Sequence, residues 1–403
     1  MRDIYERVLR RRPALVPVLL IFALSRLAFY AAAIPGAYLL PDAPNQPAAV
    51  DVNARLALAL HWRWDAVHYY TVSIDGYSEG GTTAFFPLLP LLMHVASFVL
   101  GGFQAPAHLP IQQAETTTLL AGVLVAHAIS LLAFWLLYQL ASEELGDRDA
   151  AIRTVLYAAF FPLAFHYGVP YTEGLLLATA AGTFLAARRR QWVRAGIWAG
   201  LGAASRSSGI LLTPVLLLEI GLAWRRGGLT RAEQPRALLG LLLAPLGLLL
   251  FMAELWNRTG DPFAFIEAQK AWGRESTWPW TTLLRGIDYA LHPAMTDRAD
   301  VYMRGVMHLL ITLAFLAILI GYARRWRPSY TLFGGLLFVL ILASPIEGQW
   351  TMHHLGRFLM PFFPIYFVLA GWGRHPWVDR AILATFLPLF GLLTLLYVNW
   401  YAV

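Results

Sequence analysis

The chain returns again and again to nearly uncharged runs of about 20 residues, and these runs constrain its fold more than any other feature. Crossing a hydrocarbon layer of roughly 30 Å takes about 20 residues of helix, and backbone groups in lipid must be satisfied within the segment itself. Candidate spans fall at 13–34, 86–103, 116–140, 151–168, 171–187, 192–205, 208–224, 236–256, 305–323, 329–345, 358–373 and 380–399. Of 403 residues, 58% are hydrophobic and 14% charged, against roughly 45–50% and about 25% in soluble domains. One soluble core could not hide that excess. The expectation is an all-α, polytopic transmembrane protein whose 1–403 form a single domain.

A net charge of +7 raises nucleic acid as a partner, but the basic residues cluster beside the apolar runs. Arg2, Arg7, Arg10, Arg11 and Arg12 precede the first. Arg188, Arg189, Arg190 and Arg194 lie midway; Arg225, Arg226, Arg231 and Arg236 follow, then Arg324, Arg325 and Arg327. This is the positive-inside pattern, which puts the clusters in the cytoplasm and leaves no need for a nucleic-acid role. With no cysteine in the chain, disulfides and thiolate metal sites are excluded. The basic start, apolar run and Ala31-Ala32-Ala33 imitate a signal peptide. Arg26 interrupts that run, so Pro13 to Ile34 reads as a retained first span.

Twelve crossings from an inside N-terminus would leave Arg188 to Arg190 outside. Segment 86–103 is short, contains Pro87, Pro90 and His94, and precedes the uncharged stretch 104–114. If it is re-entrant or interfacial, about 11 crossings remain and every arginine cluster falls inside. The long polar connections 35–85 and 257–304 then share the outer face with 168–172, 204–209 and 346–357. The sequence contains no inverted repeat of the kind that marks many transporters.

The chemistry-bearing residues concentrate on that face. The first loop reads His61-Trp62-Arg63-Trp64-Asp65-Ala66-Val67-His68-Tyr69-Tyr70, then Asp75-Gly76-Tyr77 and Ala84-Phe85-Phe86-Pro87. Aromatic rings favour the membrane interface and stack on sugars, and a carboxylate there can deprotonate an attacking hydroxyl. The plainer alternative is an interfacial amphipathic helix in which Asp65 pairs with Arg63. Glu173 is either a second acid or a helix-N-terminal carboxylate complementing the dipole. Arg206 between two apolar stretches would meet a phosphate, or else pair with Glu173 or Glu219. Arg357 offers a phosphate-binding fork or anchors the final helices. His353 and His354 are adjacent and do not share a helix face, so no metal pair is expected. The segment Asp261 to Arg274, with Glu267, Gln269, Lys270 and Trp272, reads as an interfacial helix over a cleft or as a solvated surface helix. Asn257-Arg258-Thr259 is a glycosylation sequon that has meaning only in a eukaryotic source.

Several motifs carry a family resemblance. Trp64-Asp65-Ala66-Val67-His68, Asp75-Gly76-Tyr77 and Ala84-Phe85-Phe86-Pro87-Leu88-Leu89-Pro90 resemble the first-loop signature of the PIG-V mannosyltransferases, the family of GPI mannosyltransferase II. In order after them, Tyr171-Thr172-Glu173 resembles its Tyr-Ser-Glu, and Ser205-Arg206-Ser207-Ser208-Gly209 its Arg-Ser-Asn-Gly. Thr259-Gly260-Asp261-Pro262-Phe263-Ala264-Phe265, with Gln269 and Trp272, is similar to its Gly-Asp-Pro segment, and Arg357-Phe358-Leu359-Met360-Pro361 to its Arg-aromatic-Leu-x-Pro. The resemblance implies a GT-C glycosyltransferase: multispan, inverting, fed by a polyprenyl-phosphate sugar, with no cofactor or essential metal. It implies Asp65 as the first-loop catalytic acid, acting as general base. Arg63, Trp64, His68, Tyr69, Glu173, Arg206, Gln269, His354 and Arg357 are the expected substrate- and donor-binding set. Ser208 departs from the family's Asn and the large loop insertions are missing, which bears on the acceptor, a lipid-linked molecule or a glycan. The location implied is a plasma membrane in a prokaryote or endoplasmic reticulum in a eukaryote. Two alternatives from other classes remain: a secondary transporter, motivated by Arg206, Glu219, Glu254 and Arg153 near apolar stretches, and a non-catalytic GT-C-like subunit.

The topology is testable because the chain has no native thiol. In Asp65→Cys, a membrane-impermeant maleimide should label from the outer face only; labelling from the cytoplasmic face alone would reverse the topology.

Overall fold

The computed structural model describes residues 14–43, 56–77, 81–102, 116–293, 299–348 and 351–401. The basic cluster Arg2 to Arg12, Glu79 and the stretch 104–114 lie outside the described residues. The helices are α1 (Leu15–Leu39), α2 (Asp65–Asp75), α3 (Leu88–Val99), α4 (Thr116–Leu145), α5 (Arg148–Phe160), α6 (Glu173–Arg188), α7 (Trp192–Ser205), α8 (Leu212–Arg225) and α9 (Glu233–Leu243). They continue as α10 (Leu246–Thr259), α11 (Ala264–Ala271), α12 (Pro279–Leu291), α13 (Ala299–Tyr322), α14 (Pro328–Leu342), α15 (Leu355–Leu359), α16 (Pro364–Trp372) and α17 (Pro376–Val398). Among the described residues the only extended pairing is an isolated bridge between Arg274 and Ile346.

Six helical stretches are long and apolar enough to cross a membrane: Leu15–Leu39, Thr116–Leu145, Ser207–Arg225, Glu233–Thr259, Val301–Tyr322 and Pro376–Val398. This is an integral membrane protein. The expectation of about 11 crossings therefore counts shorter helices as well, such as α6 with 16 residues and α7 with 14. The run 151–168 does not continue as one helix, because α5 stops at Phe160 and Pro162 cannot donate to the preceding turn. Helix α3 has 12 residues, a rise of about 18 Å, which falls short of the ~30 Å hydrocarbon layer.

Helix α6 forms the centre of the bundle, with every residue from Glu173 to Ala187 buried. Its interior is small: Ala178, Thr179, Ala180, Ala181, Gly182 and Thr183 let neighbouring helices come close. In lipid, where there is no hydrophobic drive between helices, close van der Waals packing of small residues holds a bundle together. The same device joins α7 to α9. A Cβ on Gly196 would lie 2.2 Å from the Gly240 carbonyl oxygen, and one on Gly240 would lie 2.4 Å from the Trp192 carbonyl oxygen.

The two ends of α6 differ chemically. At its C-terminal end Arg188 meets Glu219 at 2.6 Å and also Glu144, Arg189 meets Glu143 at 2.5 Å, and Arg190 meets Glu233 at 2.5 Å. Arg327 adds a bond to Glu144 at 3.1 Å, so one ion-pair layer ties α4, α6 and α8 to the chain entering α14. Glu173 opens the other end, about 24 Å away for a helix of this length. Arg26 on α1 is buried, and its two Nη atoms have no hydrogen-bond partner. They rest on Gly168, where a Cβ would fall 1.4 Å from Nη1.

The α7–α9 seam makes a stability prediction. Gly196→Leu or Gly240→Leu drives a side chain into facing backbone, which typically costs at least about 1–3 kcal/mol, so the thermal midpoint in detergent should fall. Gly221, with open space around its Cβ position, supplies the control: Gly221→Ala should not lower it. Equal midpoints for all three would show that the close approach is not needed.

Candidate active site

The site begins with a pinned turn. Trp64 adopts φ 51° and ψ −121° immediately before Asp65 opens α2. A bulky residue at positive φ is strained and persists only where its surroundings over-determine it. Those surroundings are supplied by the end of α17 and by Tyr171. Arg63 Nε donates to the Val398 carbonyl at 2.8 Å, Arg63 Nη1 to that of Ala59 at 2.7 Å, and the guanidinium lies 4.8 Å from the Trp400 ring centre. The Tyr171 hydroxyl donates to the Arg63 carbonyl at 3.1 Å and accepts from the Asp65 N–H at 3.2 Å. Tyr397 holds the His61 carbonyl at 3.1 Å.

So placed, the Asp65 carboxylate meets a chain of alternating charges. Asp65 Oδ2 accepts from Arg357 Nη2 at 2.8 Å, Arg357 Nε lies 3.3 Å from Glu173 Oε1, and Arg206 Nη1 donates to the same oxygen at 2.9 Å. The Glu173 and Arg357 side chains are 2% and 6% exposed, whereas that of Asp65 is 33% exposed. Glu173 also stands at the N-terminus of α6, where the helix dipole favours an anion. Arg206 forms the ion pair with Glu173 and still reaches the cavity, while Glu219 is engaged by Arg188 at the far end. Arg357 rides on α15, entered through His354 at φ 68°.

These side chains form one end of a cavity of about 480 Å³. Tyr69, one helical turn on from Asp65, Gln269 and His354 are among its other polar lining residues, and Leu248, Phe265, Ile266, Leu340 and Ile341 are among its apolar ones. Burial, with Arg357 and the other nearby cations, holds the His354 imidazole well below its usual range and therefore neutral. Helix α11 lines the cavity through Phe265, Ile266 and Gln269. Trp272 Nε1 donates to the Gly81 carbonyl at 3.1 Å, and Thr83 Oγ1 to that of Ala264 at 3.2 Å. Its Glu267–Lys270 pair faces solvent, so the helix is both a cavity wall and a solvated surface.

Of the residues expected from sequence, Asp65, Tyr69, Glu173, Arg206, Gln269, His354 and Arg357 line the cavity; Arg63, Trp64 and His68 do not. Arg63 is consumed by backbone carbonyls and does not pair with Asp65. Trp64 packs edge-on against Trp400 at 5.8 Å. His68 stacks on Phe85 at 4.9 Å and meets Trp272 edge-on at 4.8 Å behind the wall, and burial lowers its pKa against the opposing pull of Asp65. Arg274, which sequence reasoning did not select, also lines the cavity.

Fold and site together define a helical membrane protein with a buried, net basic cavity at one end of its bundle. A family model described as Dolichyl-phosphate-mannose-protein mannosyltransferase matches residues 115–256, a stretch that includes Glu173 and Arg206 but neither Asp65 nor Arg357. Two curated relatives, the GPI mannosyltransferase 2 proteins of Cryptococcus neoformans var. neoformans serotype D strains JEC21 and B-3501A, are each 28% identical over 156 residues. That match spans 38% of this chain and 36% of each relative. These likenesses support the PIG-V resemblance carried by the motifs. Among solved structures, the Archaeoglobus fulgidus oligosaccharyltransferase in complex with Zn and sulfate superposes with a TM-score of 0.49 at 15% identity, over 95% of this chain and 53% of that one. The oligosaccharyltransferase AglB from the same organism, with an inhibitory peptide and a dolichol-phosphate, gives 0.45 at 14% identity, over 95% and 55%.

The charge chain predicts a compensating pair. Glu173→Gln leaves two guanidiniums facing each other without their shared anion, and breaking a buried pair typically costs about 3–5 kcal/mol. The thermal midpoint should drop, and adding Arg206→Gln should recover part of the loss. A double variant no more stable than the single one would show that Arg206 and Glu173 are not coupled.

Proposed function

We propose that this chain is a membrane glycosyltransferase, mannosyltransferase-like, that moves a hexose from a polyprenyl-phosphate to a hydroxyl acceptor on the extracytoplasmic face with inversion. The observation that carries the reading is the partly exposed Asp65 carboxylate beside an arginine cluster in a cavity that also has an apolar lining. An amphipathic anion needs those three properties together. In the step proposed, the Asp65 carboxylate accepts the proton of the acceptor hydroxyl as that oxygen bonds to the anomeric carbon. The bond from that carbon to the phosphate oxygen breaks on the opposite side, and the prenyl phosphate leaves with the electron pair. Arg357, holding Oδ2, fixes the orientation of the carboxylate, and neighbouring guanidiniums stabilise the charge that develops on the leaving phosphate. The GPI mannosyltransferase 2 relatives support mannose as the sugar. The arginine layer at the opposite end of α6 supports an outward-facing site.

Three of the four residues that motivated a transporter are used elsewhere, and the fourth, Arg206, lines the candidate site. Glu219 belongs to the Arg188 layer, Glu254 pairs with Arg258 at 2.9 Å on an exposed helix face, and Arg153 donates to the Ala370 carbonyl at 3.1 Å.

The test is Asp65→Asn, which keeps the shape of the side chain and removes its basicity. With a panel of polyprenyl-phosphate sugars and purified protein, turnover should fall by about 10² to 10⁴-fold with donor binding retained. Asp75→Asn and Glu79→Gln are the controls. Asp75 closes α2, about 15 Å along the helix from Asp65. Parental turnover in Asp65→Asn would remove it as the base, and consumption of no donor by the parent would remove the transferase reading.

A further inference from the structure

Three guanidiniums surround one phenylalanine. The Cζ atoms of Arg206, Arg357 and Arg274 lie 4.6, 4.8 and 5.1 Å from the centre of the Phe358 ring. The electron-rich ring face tempers their mutual repulsion, but ring contacts do not replace an anion. Two carboxylates, Asp65 and Glu173, serve Arg357 and Arg206. Arg274 has no carboxylate within ion-pair distance among the described residues; its Nη1 donates to the neutral Ser344 carbonyl at 2.7 Å. A guanidinium carries five donors, so most of its fork is uncommitted.

The arginine is nonetheless firmly placed. Gly273 turns the chain at φ 68°, Glu347 N–H donates to the Gly273 carbonyl at 2.9 Å, and Glu275 N–H donates to that of Pro345 at 3.1 Å. Arg274 is thus stitched to the segment that follows α14, the helix that supplies Leu340 and Ile341 to the apolar wall. Burial, reinforced by Arg357 and Arg206 and opposed by Asp65, pushes its pKa down to about 10.

We propose that the Arg274 guanidinium is the principal anchor of an anion site in this cavity, taking the phosphate of a membrane-embedded prenyl phosphate; as a donor site it rests on the proposed function. Three guanidiniums against two carboxylates leave one positive charge in excess, which the anionic phosphate of such a lipid offsets. The fork suits two phosphate oxygens, and the apolar wall suits the chain attached to them.

The test is binding to the purified full-length protein in lipid nanodiscs, with farnesyl phosphate, farnesol and inorganic phosphate as separate probes. The expected result is parental binding of farnesyl phosphate well above farnesol and inorganic phosphate. Arg274→Gln should weaken farnesyl phosphate by about 10 to 100-fold, the range for a charge-assisted bond, and leave farnesol unchanged. Arg274→Lys, which keeps the charge without the fork, should fall between and decides the matter if Arg274→Gln does not fold. Lys270→Gln, on the exposed face of α11, should bind like the parent. Parental affinity in both Arg274 variants overturns the proposal, as does a parent that does not distinguish the phosphate from the alcohol. Equal affinity for inorganic and farnesyl phosphate overturns the lipid source. Binding needs no sugar transfer. A protein that loses farnesyl phosphate through Arg274 yet consumes no sugar donor keeps this site and loses the transferase reading.

Discussion

The structure depends on a run of alternating charges, Asp65, Arg357, Glu173 and Arg206, whose middle pair is buried. Ions removed from water are tolerated only in near-ideal company, and these four come from four separate segments of the chain. Glu173 starts the central helix, Arg206 follows the end of α7, Arg357 rides on a short helix after α14, and Asp65 arrives from the first long connection. None of the four is well placed unless the others are. The network therefore fastens the polar connections onto the bundle at one end of α6, as the Arg188 layer fastens the helices at the other. Between the layers the helices rely on small residues and close contact, with few polar bonds.

Much of this was legible in sequence, and the reasons differ by element. Long apolar runs mapped onto helices because in lipid no other structure satisfies the backbone: 116–140 became Thr116–Leu145 and 380–399 became most of Pro376–Val398. The early segment expected not to cross is a 12-residue helix. Asp65, Glu173, Arg206 and Arg357, which the sequence reading assigned to one face, come together in one cluster. What sequence did not resolve was pairing. Arg63 stands two residues from Asp65, but a strained turn separates them and the carbonyl end of α17 takes the arginine. Glu219 and Arg206 both sit beside apolar stretches, yet at opposite ends of the bundle. Arg274 escaped notice because its partners are distant in the chain: Phe358 lies 84 positions on, and Ser344 is reached through an irregular segment with no period to read.

Two strained backbones flank the chemistry, at Trp64 before Asp65 and at His354 before the helix of Arg357. Such conformations cost of order 1–3 kcal/mol each. The turn at Trp64 is held by the end of α17, through Val398 and Trp400, and by Tyr171. Precision at the carboxylate is thus built in the wall behind it, by residues such as Arg63 and Trp400 that touch nothing in the cavity.

The single excess charge around Phe358 also bears on how a catalytic cycle would end. A sugar donor is a phosphodiester with one negative charge, but the carrier left after transfer is a monoester, whose second ionisation near pH 6 takes it towards two. The same three guanidiniums would then grip the spent carrier more tightly than the fresh donor. Under the proposed function, this cavity is built for capture and for stabilising departure from the anomeric carbon, and it is poorly built for letting go. Exchange of carrier, not bond breaking, would then set the pace of turnover.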